Sequence, residues 1–215
     1  MSSLSFGFEF LGIIILIVFI GFWIGWRFLH FPTPHFVRYI LDNRIRIKLQ
    51  KPTSIADRLM LEPNFTVMDL GCGPGTFTFE IANRLSADST VLAVDIQPKM
   101  VRVVKTKVSQ KRLANITPII ASASELPIRA QSLDRVAMVT VLAEISNRIG
   151  ALNELRRVLK QDGILSISEF LPDPDYPLRR TVKKWCGRAG FQTHASFGTF
   201  FTYTLNFEKA ILNNS

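Results

Sequence analysis

The stretch VMDLGCGPGTFTFE, residues 67–80, carries an acid at Asp69 and then glycine at positions 71, 73 and 75. Glycine at alternate positions lets a ligand approach the main chain without Cβ atoms in the way. That ligand could be a dinucleotide, a phosphate or something else. The order G-x-G-x-G differs from the G-x-G-x-x-G of dinucleotide loops, and no Gly-Lys-Ser/Thr follows, which excludes a nucleoside-triphosphate loop. Asp69, just ahead of the glycines, would repel a pyrophosphate and favour a cation such as an amino acid's ammonium group. A second acid, Asp95, ends the next apolar run, TVLAVDI, where it can accept both hydroxyls of a ribose.

Ribose and ammonium without phosphate describe S-adenosylmethionine. Methyl transfer from a sulfonium is an in-line displacement, in which a protein supplies proximity and alignment. A base is needed only where the nucleophile must lose a proton. Glu144, in VTVLAEIS, is the first candidate for that base. Glu169, Asp173, Asp175 and Tyr176 follow on SEFLPDPDYP, and His194 comes later. Asp173 and Asp175 stand among Pro172, Pro174 and Pro177, where turn chemistry is the simpler role. His194 reads as an ordinary strand position, and Cys72 as a small filler of the glycine loop rather than a nucleophile. Two cysteines, Cys72 and Cys186, and three dispersed histidines show no disulfide framework and no metal spacing, so no metal is expected.

These residues need rigid elements beneath them. FTVMDL, TVLAVDI, TPIIA, RVAMVTVL and GILSISEF read as buried strands. Between them, Phe77, Ile81 and Leu85 repeat at helical spacing, as do Met100, Val104 and Val108 after Pro98, and Ile149, Leu152, Leu155 and Leu159. Strand and helix in alternation predict a parallel sheet with both faces covered, a doubly wound α/β fold with its ligand beyond the C-terminal strand ends. In GFQTHASFGTFFTYTLNFEK, Gly190 stops a helix and strands flank Gly198 as a hairpin.

Four motifs in order, VMDLGCGPGTFT, AVDIQPKM, SELPIRAQSLDRV and ELRRVLKQDGILSISE, resemble class I S-adenosylmethionine-dependent methyltransferases. The likeness is greatest to those related to the ubiquinone/menaquinone-biosynthesis C-methyltransferases, and it covers about residues 50–209. It implies a Rossmann-like sheet of seven strands, the last pair antiparallel. It also implies roles: Asp69, Gly71, Cys72, Gly73 and Gly75 build the methionine-side loop, Asp95 takes the ribose and Ile96 packs on the adenine. The family usually has Gly-Asp-Ala after the third strand, its acid reaching the adenine amino group. Here Ser122 stands in that place and Ala123 offers its backbone, so a charge-assisted hydrogen bond is lost. LKQDG replaces the usual LKPGG as a turn variant.

Upstream, residues 10–26 carry no charge and would span roughly 26 Å as a helix at ~1.5 Å per residue. That is close to the ~30 Å hydrocarbon thickness and predicts one transmembrane helix. Nothing resembles a basic leader with a cleavage site. Only Glu9 is charged before the run, whereas Arg27, Arg38, Arg44, Arg46, Lys48 and Lys51 against Asp42 follow it, which places the bulk of the chain in the cytoplasm. The expected organisation is an anchor at 1–31, a basic amphipathic juxtamembrane helix or linker at 32–60, and a methyltransferase domain at 61–215. The lipid membrane is the expected partner.

The formal charge of +9 raises nucleic acid as a partner. Nucleic-acid amino-methylating enzymes resemble one another in an Asn/Asp-Pro-Pro-aromatic motif after the fourth strand, where this chain reads VLAEIS, so no nucleic acid is expected. A membrane-held domain points to a hydrophobic small-molecule acceptor: a quinone precursor, or a phospholipid amine methylated on nitrogen. The remaining alternative is a non-catalytic, S-adenosylmethionine-binding membrane protein.

Overall fold

The computed structural model describes residues 12–14, 16–21, 47–48, 50–171, 173 and 175–210. The chain divides into two compact units, Met1–Asn43 and Arg44–Ser215. In the first, residues 12–14 and 16–21 are helical. Among the described residues no helix is long and apolar enough to cross a membrane. Most of the segment expected to anchor the chain lies outside the described residues, as does most of the expected juxtamembrane helix.

The second unit follows the alternation of the sequence. Its elements run α1 (Pro52–Arg58), β1 (Thr66–Leu70), α2 (Thr76–Asn83), β2 (Thr90–Asp95), α3 (Pro98–Lys111), β3 (Ile116–Ile120) and β4 (Leu133–Val139). A 3-10 turn (Leu142–Glu144), α4 (Arg148–Val158), β5 (Leu159–Phe170), α5 (Arg179–Arg188), β6 (Phe191–Gly198) and β7 (Thr202–Lys209) complete it. Pro52 and Pro98 occupy first turns, where a missing N–H costs nothing. The Asn147 side chain caps α4 by accepting from the Gly150 N–H.

One seven-stranded sheet has the order β3-β2-β1-β4-β5-β7-β6. β1 to β5 are parallel, and β7 runs antiparallel between β5 and β6. Alternation along β1 separates two cores. Met68 and Leu70 face a cluster with Leu152 and Leu155 of α4 and Val182 and Cys186 of α5. Val67 faces a cluster with Ile81 of α2 and Val104 of α3. Helices thus cover both faces.

Three details differ from the sequence reading, the first being Leu159, expected in the helix with Ile149 and Leu155, which is the first residue of β5 and pairs with Leu133. β4 stops at Val139, and Val141 and Leu142, expected in the strand, belong to the turn that follows. LKQDG is a bulged start of β5 rather than a free turn: Leu159 pairs with Leu133 and the next pair is Arg135 with Ile164, so Lys160 to Gly163 loop out. Arg135 itself is buried, donates to the Leu59 and Met60 carbonyls at 3.0 and 3.3 Å, and so ties the end of α1 to the sheet.

Candidate active site

The chain leaves β1 at Leu70 and turns over the C-terminal end of β2. The N–H groups of Gly71 and Cys72 both donate to the Val94 carbonyl, at 2.7 and 3.0 Å. Gly71 has φ +74° and a Cβ there would lie 2.4 Å from Val141 Cγ2, so only glycine fits between the strand end and that side chain. Gly73 has φ +51°, and a Cβ there would meet nothing within 4 Å. Its face of the loop is open, as an approach to the main chain requires.

Asp95 holds this loop. Its Oδ2 accepts the Gly73 N–H at 2.9 Å and its Oδ1 accepts the Gln97 N–H at 2.8 Å. A carboxylate has about four acceptor directions, so two backbone bonds leave room for two hydroxyl donors. From the other side, Lys107 of α3 donates to the Pro74 carbonyl at 2.8 Å.

Asp69 is 1% exposed, beneath the loop rather than on its surface. Thr78 Oγ1 of α2 donates to its Oδ2 at 2.6 Å, which fastens the first turns of α2 to β1. The carboxylate therefore bears on a ligand through the charge and geometry it sets under the glycines. Cys72 is buried too. Burial first, then the charges of Asp69 and Asp95, push its thiol far above the usual range, so it is a filler and not a nucleophile.

On the far side of Asp95, Ile96 is 67% exposed, an apolar surface on the ligand edge of the sheet. The Ala121 N–H donates to the Asp95 carbonyl at 3.2 Å and brings Ser122 and Ala123 to the same edge. The Ser122 hydroxyl lies 3.1 Å from that of Ser124 and its carbonyl accepts from Glu125, so Ser122 is part of a local turn.

Beyond β4, Glu144 is exposed on the 3-10 turn, three residues from the Val141 that packs on Gly71. The other candidate residues lie on β5, the segment after it and β6. Glu169 is 1% exposed and pairs in register with Tyr203, whose hydroxyl is raised by burial first and by the Glu169 charge second. Asp173 accepts the Asp175 N–H at 3.0 Å, a turn bond of the kind its prolines suggest. Tyr176 is buried with its hydroxyl donating to the Phe200 carbonyl at 2.5 Å. His194 lies on β6, one of the two edge strands, with Nδ1 2.9 Å from Glu208 Oε2.

Sequence reasoning did not single out Thr78, Gln97, Lys107 or Val141. Thr78, Lys107 and Val141 act on the glycine loop or its acids from distant elements that no spacing rule links to it, whereas Gln97 makes a local bond two residues after Asp95. Thr78 alone left a trace, as a hydroxyl on an otherwise apolar helix face.

Residues 61–204 match a family model described as Methyltransferase domain. A demethylmenaquinone methyltransferase of Lactiplantibacillus plantarum is 31% identical over 60% of this chain and 54% of its own length. A ubiquinone/menaquinone biosynthesis C-methyltransferase of Agrobacterium fabrum is 33% identical over 66% of this chain and 53% of its own length. The chain thus spans about half the length of the curated relatives it matches. Among solved structures, a SAM-dependent methyltransferase from Aquifex aeolicus superimposes with TM-score 0.74 at 22% identity, over 80% of this chain and 96% of that one. The [4+2]-cyclase SpnF shares the fold with TM-score 0.67 at 16% identity, over 75% and 80%. One fold carries both names, so its presence does not fix a reaction. The family model spans more than half of the chain, and with it the whole glycine loop and Asp95: this chain belongs to the methyltransferase-domain family.

Proposed function

We propose that this chain is an S-adenosylmethionine-dependent methyltransferase acting on a lipid-soluble acceptor. The observation that carries the reading is the joint between Gly73 and Asp95, which couples the glycine loop to the carboxylate at the end of β2. The residues present suit the cofactor. Gly73 leaves its side of the loop open for the methionine end, Asp95 keeps acceptor directions for the ribose, and exposed Ile96 offers a surface for the adenine. Asp69 acts as a positioning residue beneath the loop, with Thr78 as its partner. Gly71, Cys72 and Gly75 shape the turn, and Ser122 and Ala123 close the adenine end.

When bound, S-adenosylmethionine supplies an electrophilic methyl group on a sulfonium. The chain's own contribution is alignment, from a loop pinned to β2 by the Gly71 and Cys72 N–H bonds to Val94. Glu144, exposed on the turn beside Val141, is the residue assigned to take up a proton where the acceptor must lose one.

Two acceptor classes fit a hydrophobic substrate. A quinone precursor is supported by the names of the relatives from L. plantarum and A. fabrum. A phospholipid amine is supported by a basic, hydroxyl-lined cavity beside α1. A single-pass anchor within residues 1–31, with the enzyme on the cytoplasmic side, rests on the charge-free run at 10–26 and the bases after it.

The test is transfer of label from methyl-labelled S-adenosylmethionine into a membrane-lipid extract, resolved by chromatography. Label in a quinone band supports the first acceptor and label in phospholipid the second. Cofactor binding with no label in any lipid would overturn the lipid-acceptor reading. Absence of cofactor binding would overturn the whole.

A further inference from the structure

On the sheet face that carries Val67, Ala137 and Val139, the side chains change character toward β5 and β7. In register, Ala137 is followed by Ser166 and Asn206, and Val139 by Ser168 and Thr204. All four of these polar residues are buried. α1 and the residues ahead of it pack over them. Arg58 Nη1 donates to Thr204 Oγ1 at 2.9 Å, the Ser168 and Thr204 hydroxyls are 2.8 Å apart, and Asn206 Nδ2 donates to the Arg58 carbonyl at 2.7 Å.

Here lies a cavity of about 270 Å³, near the lower end of ligand-pocket volumes, ~300–1,000 Å³. Lys48, Lys51 and Arg58 line it, together with the hydroxyls of Ser54, Ser168, Thr202 and Thr204. Among the described residues no carboxylate lines it. Gln50, also in the lining, is 3% exposed, and neither its amide nitrogen nor its oxygen has a hydrogen-bond partner. Ser166 Oγ and Asn206 Oδ1, on the same face, are in the same condition. Buried polar atoms are nearly always paired, so this cluster is built for a polar guest.

The cavity adjoins the active site. Ile55 of α1 packs with Val139 and with Phe77, the second residue of the helix that the glycine loop opens. The Thr140 N–H donates to the Ser168 carbonyl at 2.8 Å. A group held there sits at the C-terminal strand ends, on the side of β4 away from Asp95.

We propose that this cavity binds the phosphate of the methyl acceptor. The inference rests on the methyltransfer reading and narrows its substrate to a phosphate-bearing molecule. Three cations, with no carboxylate among the described lining residues, exceed what one carboxylate needs and suit a phosphate. The Arg58 fork and the hydroxyl-bearing residues of the lining suit its several oxygens. Phe200 and Phe201, 59% and 64% exposed, immediately precede Thr202 at the cavity, where an apolar body attached to that phosphate could lie. A quinone head carries no phosphate, so the cavity favours a phospholipid amine or a soluble phosphate-bearing acceptor.

The experiment titrates the full chain by calorimetry with inorganic phosphate and, separately, with S-adenosylmethionine. Saturable phosphate binding is expected, weakened about tenfold or more in Arg58→Gln, with cofactor affinity unchanged. Arg58 also holds Thr204, so the double variant Lys48→Gln/Lys51→Gln, at two exposed positions, is the control for folding and should weaken phosphate binding too. Arg58→Lys should retain most of it. No phosphate binding, or binding that both the Arg58→Gln and the double variant leave untouched, overturns the proposal. Loss of cofactor binding in the unaltered chain would instead overturn the methyltransferase reading and leaves the phosphate result standing. Displacement of phosphate by dispersed phosphatidylethanolamine and not by glycerol 3-phosphate identifies a lipid source. Displacement by glycerol 3-phosphate identifies a soluble one, and displacement by neither overturns the proposal as an adventitious ion only.

Discussion

The Gly73 N–H donates to Asp95 Oδ2 at 2.9 Å, so the loop after β1 and the acid after β2 form one unit. The carboxylate expected to read a ribose also shapes the loop expected to hold the methionine end. Removing it should damage both halves of the site together.

Asp95→Ala should therefore weaken S-adenosylmethionine binding by about 100-fold or more, since hydrogen bonds to a charged group are each worth ~1.5–3 kcal/mol. Asp95→Asn keeps one acceptor oxygen and should fall between that variant and the native chain. Calorimetric titration measures both, with circular dichroism to check that the fold survives.

Two glycines in the same loop should respond differently. Gly73→Ala bears only the left-handed backbone strain of ~1–2 kcal/mol, because its Cβ meets nothing within 4 Å. Its methyl group enters the open side of the loop, so cofactor affinity should drop more than stability does. Gly71→Ala adds a clash with Val141 at 2.4 Å and should show the larger loss of thermal midpoint. Melting curves run beside binding titrations separate the two effects.

Thr78→Val replaces a hydroxyl with a methyl group beside a carboxylate that is 1% exposed. Loss of that bond should cost ~1–3 kcal/mol in urea unfolding. Cofactor affinity should fall as well, because Thr78 fastens the helix that the loop opens. Unchanged stability would show that Asp69 does not depend on this hydroxyl.

Glu144→Gln should lower turnover by about 100-fold or more if this residue takes the proton, the lower end of general-base contributions. Cofactor affinity should stay as it was, because the side chain is exposed on the turn beyond Val141. Equal turnover in the two proteins would remove Glu144 from the chemistry.

Cys186 is fully buried, and burial pushes its thiol from the ordinary 9.0 up to about 12. In the folded state it holds its proton where the unfolded chain releases it. Its stabilising effect is complete below pH 9.0 and is lost as pH rises toward about 12. Thermal midpoints should fall across that window, less steeply in Cys186→Ala. Neither thiol should react with iodoacetamide in the native protein near pH 8, since Cys72 is also buried and raised.

Much of the second unit was legible in the chain itself. Apolar runs ending at Leu70 and Asp95, helical spacing after Gly75 and Pro98, and the hairpin around Gly198 are local signals, and each became the element it indicated. The glycines at 71 and 73 were legible for the same reason, since positive φ in a tight loop is a property of a few consecutive residues. Asp69 and Asp95 stood out as acids closing apolar runs. Other features depended on where distant segments meet. Thr78 under Asp69, Lys107 on Pro74 and Val141 against Gly71 join residues that share no periodicity. The end of β4 at Val139 and the bulge of β5 were set by strand pairing, which apolar content alone does not reveal. The cavity beside α1 is the clearest case. Ser166, Ser168, Thr204 and Asn206 read in sequence as unremarkable strand residues, and Gln50 and Arg58 as parts of a basic linker. Only pairing of β5 with β7, with α1 laid over both, turns them into one buried polar site, because that requires contacts across more than a hundred residues of chain.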